Sequence, residues 1–180
     1  MKIPFRTKIL LLYYKYVYKK SYDYPLVKIG ESGKGVESIL FFLPSEIFFA
    51  QVISHFIKRN NNNIDLKFKY LLYENSLIHY QYIPKSHTII LTDDDINWFG
   101  GIKNKMLIDG LANERFDALV DLNQSHDQSL SLLSLQLKIP IKVGFQSPIS
   151  DDLFSIVVKP EEGNFLETNY QLIEKILGIS

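Results

Sequence analysis

Short, continuously apolar runs punctuate this chain, and between them apolar residues return every three or four positions. Ser38–Leu43 (SILFFL) carries no polar residue after its serine, as expected of a strand covered on both faces. Thr88–Thr92 (TIILT), Asp117–Leu122 (DALVDL), Ile141–Phe145 and Phe154–Val158 read as further short strands. The segment Ile64–Tyr73 is different. There Ile64, Leu66, Phe68, Tyr70 and Leu72 alternate with Asp65, Lys67, Lys69 and Leu71, which predicts a half-exposed strand.

The intervening stretches have helical spacing. Residues 3–20 predict a basic, tyrosine-rich amphipathic helix that ends near Tyr24–Pro25, because the residue before proline avoids the helical region. Ser45 is placed to cap a helix running to about Arg59, with Phe49, Val52, Ile53 and Phe56 on one stripe. A helix is expected over Lys103–Asn113. Ser125 with Gln128 suggests a capping box for the next, whose Leu130, Leu133 and Leu137 share a face. Asn164 and Glu167 suggest a second capping pair, opening a last helix that stops before Gly178.

Strand and helix alternating with short connections imply βαβ units and right-handed crossovers. The expected fold class is α/β, a Rossmann-like three-layer sandwich with a mostly parallel sheet, preceded by the N-terminal amphipathic helix. Residues 1–35 are read as a helical arm with a glycine linker, and residues 36–180 as the α/β domain.

Composition adds one asymmetry. The 180 residues are 46% apolar and 22% charged with a net charge of zero, an ordinary globular profile. Yet residues 1–34 hold eight Lys/Arg against Asp23 and Glu31, so the remainder is acidic by the same margin. A basic arm on an acidic body is not the footprint of a nucleic-acid-binding domain. It suits an anionic surface, or the chain's own acidic domain. The absence of cysteine excludes disulfides, a thiol nucleophile and Cys-based metal sites. The apolar run Ile9–Tyr14 is too short for a signal peptide or a bilayer span, so a cytoplasmic protein is expected, with the arm able to reach the inner face of the membrane.

Candidate chemistry gathers at strand ends. Gly30–Gly35 (GESGKG) mimics a P-loop, but the full pattern needs glycine at position 28 and Ser or Thr at 35, where Lys28 and Gly35 stand. The stretch also precedes a strand instead of following one, so a flexible linker is the better reading. Asp93–Asp95 follows a strand, yet consecutive carboxylates point apart and cap turns more readily than they bind metal. Asn123, Ser125, His126 and Asp127 open a helix, where backbone N–H groups favour an anion and capping needs no ligand. Ser45, Glu46, Asp93, Asn123, Ser125 and His126 would ring one crevice if their strands are adjacent. His55, His79 and His87 have no metal-ligand spacing, and no G-x-S-x-G elbow is present. Trp98 and Phe99 read as a core plug beneath a loop. No metal and no cofactor is expected.

DINWFG at Asp95–Gly100, IKNK at Ile102–Lys105, FDALVDL at Phe116–Leu122 and KVGF at Lys142–Phe145 resemble a family of small uncharacterised bacterial proteins. That resemblance covers nearly the whole chain and implies a basic helix before an α/β domain, with no activity attached. More distantly, Phe116–Phe145 and the closing Leu177–Gly178 are similar to the N-terminal half of lipopolysaccharide heptosyltransferases. Those enzymes carry a glycine-rich loop with a catalytic Asp after the first strand, where this chain has Leu43–Pro44–Ser45–Glu46. They also need a second domain for the nucleotide-sugar donor, which would begin where this chain ends.

Two roles follow as expectations. The first is a non-catalytic binding or scaffold module whose residues 1–24 dock on a membrane surface or a protein partner. The second is a small enzyme or ligand-binding protein that takes a phosphorylated or sugar-like ligand at the C-terminal edge of the sheet.

Overall fold

A computed structural model describes residues 5–19, 36–60, 66–160 and 166–179. Among the described residues six strands form one sheet: β1 (Ser38–Phe42), β2 (Lys67–Tyr73), β3 (Thr88–Leu91), β4 (Ala118–Asp121), β5 (Ile141–Phe145) and β6 (Ile156–Val158). Their order is β3-β2-β1-β4-β5-β6, and every pairing is parallel. The fold is therefore α/β with a doubly wound parallel sheet, as the alternation of runs implies. The glycine stretch Gly30–Gly35 and the capping residue Asn164 lie outside the described residues.

Central strands β1, after Ser38, and β4, up to the closing Asp121, are apolar because helices cover both of their faces. On one face Ile39, Phe41, Tyr70, Val120 and Val143 meet α2 (Ile47–Asn60) and α6 (Leu166–Leu177). On the other, Leu40, Phe42, Leu71 and Leu119 meet α3 (Lys105–Asn113) and α4 (Gln128–Gln136). This arrangement corrects the half-exposed reading of β2. As an internal strand between β3 and β1 it buries Tyr70, Leu71 and Leu72 in succession. Helix α6 stops at Gly178, whose φ of +68° is the left-handed region that glycine enters without strain. The N–H of Ile179 then reaches the Glu174 carbonyl and that of Gly178 the Lys175 carbonyl, closing the helix end.

Helix α1 (Phe5–Lys19) lies outside these layers, packed across α4. Its Leu11, with Leu10 and Tyr14, joins Leu132 and Leu135 of α4, and Ile149 and Leu153 at the short helix α5 (Ser150–Leu153). Helix α4 is consequently buried all round: Leu130 and Leu133 face the sheet, while Leu132 faces α1. Polar contacts fix the crossing. The Thr7 hydroxyl donates to Gln128 Oε1 at 3.0 Å, Lys15 pairs with Asp152, and a side chain at Gly101 would collide with the Tyr14 hydroxyl. The expected division of α1 into one charged and one apolar side is not what its packing gives. Opposite its buried side, Phe5, Ile9, Leu12, Tyr13 and Tyr16 are exposed.

Trp98 and Phe99 are not a core plug. Trp98 is 78% exposed, and the Arg6 guanidinium sits 4.5 Å from both ring centroids. The cation and the ring faces attract, which ties this turn to the start of α1.

Candidate functional site

Strand order reverses between β1 and β4, so the crevice of this open sheet lies where their carboxyl ends part. From β1 the chain runs Leu43–Pro44–Ser45–Glu46 into α2, and from β4 it runs Leu122–Asp127 into α4. The buried Tyr80 hydroxyl donates to the Pro44 carbonyl at 2.8 Å and holds the first exit in place.

The two exits meet. Ser125 Oγ donates to Glu46 Oε1 at 2.7 Å, a bond that spans the switch point. Beneath it Asp121 is 7% exposed and accepts from the Asn123 backbone N–H at 3.0 Å and its side-chain amide at 2.7 Å. Burial disfavours the charged carboxylate and outweighs those bonds, pushing Asp121 up to about 7.

Asp127, not Ser125, caps α4, accepting from the Leu130 N–H at 2.9 Å. The Ser125–Gln128 capping box therefore does not form. Gln128 instead donates to the Phe99 carbonyl at 2.6 Å and receives Thr7. Asp127 prevails because the Tyr73 hydroxyl, from the end of β2, donates to its carboxylate at 2.8 Å. Burial, and then the Asp127 charge, hold the Tyr73 phenol well above its ordinary value, so it stays a donor.

His126 Nδ1 lies 3.2 Å from Ser131 Oγ, whose single proton goes to the Asp127 carbonyl at 2.6 Å. The ring must therefore donate through Nδ1 to the serine oxygen, leaving Nε2 as a buried acceptor. Burial lowers the His126 pKa, in keeping with a neutral ring. The pocket lined by Asp121, Asn123, His126 and Phe154 has about 10 Å³ of room. That holds about one water molecule.

The sequence-predicted residues thus divide. Glu46 and Ser125 touch, and Asn123 and His126 lie in the same polar cluster. Ser45 is exposed in the turn between β1 and α2. Asp93 is exposed at the end of β3, two strands from β1 and so about 10 Å aside. Its neighbour Asp95 works as a cap, taking the Thr92 N–H and hydroxyl and the Asn104 amide, which lower its pKa. No group of three or more His, Asp or Glu among the described residues is placed to hold a metal ion.

A larger space lies elsewhere. Between α1 and the α4–α5 corner runs a groove of about 240 Å³, floored by Leu11, Leu135 and Ile149, with Lys8, Lys15 and Asp152 in its walls. Leu12 belongs both to this groove and to the exposed side of α1. The sequence did carry a signal for it. Phe5, Ile9, Leu12 and Tyr16 recur at helical spacing on one side, and Thr7, Leu11 and Tyr14 on the other. No helix among the described residues is long and apolar enough to cross a membrane.

Residues 12–179 match a family described only as a family of unknown function. No curated protein matches the chain, so the likeness to heptosyltransferases finds no support.

Proposed function

The chain belongs to that family, DUF6913, and we propose on its geometry that it is a docking module in which the α/β domain fixes α1 and α1 meets the partner. The observation that carries this reading is the division of α1. One side is buried on α4, and the other exposes Phe5, Ile9, Leu12, Tyr13 and Tyr16 in a single stripe. A helix this short is marginal alone in water, so its order comes from the buried side. Contiguous apolar surface on a folded protein commonly marks an interaction site.

A second reading seats a small phosphorylated or sugar-like ligand at this end of the sheet; a sugar hydroxyl suits the buried acceptor His126 Nε2, whereas a phosphate, itself an acceptor, does not. The pocket beside His126, between the exits of β4 and β5, suits one water, and at the switch point Ser125 and Glu46 are bonded to each other. Docking is therefore the better supported of the two.

Site-specific photo-crosslinking in the producing cell tests docking. A photoreactive phenylalanine analogue in place of Tyr13 should form adducts, whereas the same analogue in place of Leu172, exposed on α6, should not. An absence of adducts at position 13 would contradict the reading.

A further inference from the structure

We infer that the surface α1 meets is an anionic lipid bilayer, with α1 lying in the interface and the groove beside it receiving part of a lipid. This rests on the docking reading and names the partner's chemistry.

Three features of the surface point to lipid. Helix α1 contains Arg6, Lys8, Lys15 and Lys19 and no acidic residue. Lys15 is paired with Asp152, but Arg6 and Lys8 are exposed at the edges of the apolar stripe. An apolar face edged by cations and carrying tyrosine is the pattern of a helix that lies in the headgroup region of an anionic membrane.

Secondly, Trp98 stands beside the first turn of α1, held there by Arg6, which donates to its carbonyl at 3.3 Å. A projecting indole suits the interfacial layer, where an apolar ring and a polar N–H are both accommodated. Thirdly, the groove has an apolar floor with the Lys8 ammonium in its wall beside the Lys15–Asp152 pair, a net positive rim that fits a chain attached to an anionic head. A second copy fits less well. Two such helices packed face to face would bring like charges together with no acid on either to offset them.

The test uses the full-length protein and vesicles of phosphatidylcholine alone or with phosphatidylserine. Trp98 is the only tryptophan, so its emission reports on this surface directly. The protein should float with the anionic vesicles and not the neutral ones, and its emission should shift to the blue as it does so. Ile9→Asn with Leu12→Asn should abolish flotation, Arg6→Gln with Lys8→Gln should weaken it roughly thirtyfold, and Leu172→Asn should leave it unchanged. Because Ile9 and Leu12 are exposed, melting temperature should be unaffected in that variant, which separates lost binding from lost folding.

Failure to float would overturn the lipid assignment, as would flotation without a Trp98 shift, because binding would then use another surface. If flotation fails while Tyr13 crosslinks persist, docking stands and only the lipid is wrong. If both fail, docking falls too.

Discussion

At the switch point, polar side chains turn toward one another: Ser125 to Glu46, Asn123 to Asp121, Tyr73 to Asp127. On the outward side of α1, apolar side chains turn toward water. An open parallel sheet most often presents its chemistry at the first of these places. Here most of that place is taken up by the protein's own hydrogen bonds, with His126 Nε2 left over, and the exposed apolar surface lies on an added helix outside the sandwich. A fold of this kind hosts many functions, so function is argued from its sites and not from the sheet.

The contrast breaks most severely if α1 is cut loose. Leu132 is fully buried on the side of α4 that seats Leu11. Leu132→Ala should cost about 2–5 kcal/mol of stability in urea titrations, through lost burial and the cavity left behind. It should also release α1, seen as faster amide exchange over residues 5–19.

Next in size is the electrostatic signature of the closed crevice. The Asp121 pKa rises on folding from 3.8 to about 7. Between about pH 4 and pH 7 the folded chain holds a proton there that the unfolded chain has released. This contribution to stability is thus present at low pH, is lost as pH rises through that window, and is constant above it. Asp121→Asn mimics the neutral carboxyl and removes the dependence. The variant should gain on the wild type with rising pH by as much as about 4 kcal/mol, read from denaturant midpoints across the window. A constant difference would mean that the crevice is open to water.

The smallest effect sharpens the comparison at the crevice mouth. Ser125→Ala removes the bridge to Glu46, a partly solvated bond, and should cost about 1 kcal/mol or less. It should leave vesicle binding as it is, because α1 lies elsewhere.

How far the sequence exposed this division depends on whether the deciding contact is local. The apolar runs of β1 and β4 announce buried parallel strands, because burial on both faces favours apolar residues, whereas β5 (IKVGF) also buries Lys142, whose ammonium donates to the Ser134 carbonyl. The Glu46–Ser125 pairing follows from two strand ends meeting at one edge. Asp93 falls outside that group because strand order is a long-range property: β3 sits at the sheet's edge, and nothing in TIILT says so. The cap of α4 was equally hidden. Ser125 and Asp127 both fit local rules, and Tyr73, more than fifty residues away, decides between them. Trp98 misleads for a related reason, since its partner Arg6 belongs to the added helix. The second face of α4 was legible in retrospect: serines among the leucines leave it without a polar side, as a helix buried all round requires.

Amide hydrogen exchange across Phe5–Lys19 tests most directly whether α1 is held on α4 with its stripe outward. The account predicts that these amides, in the lipid-free protein, exchange far more slowly than in a peptide of the same residues, because Leu11 and Thr7 are pinned. Exchange at peptide rates, with the sheet still protected, would contradict it.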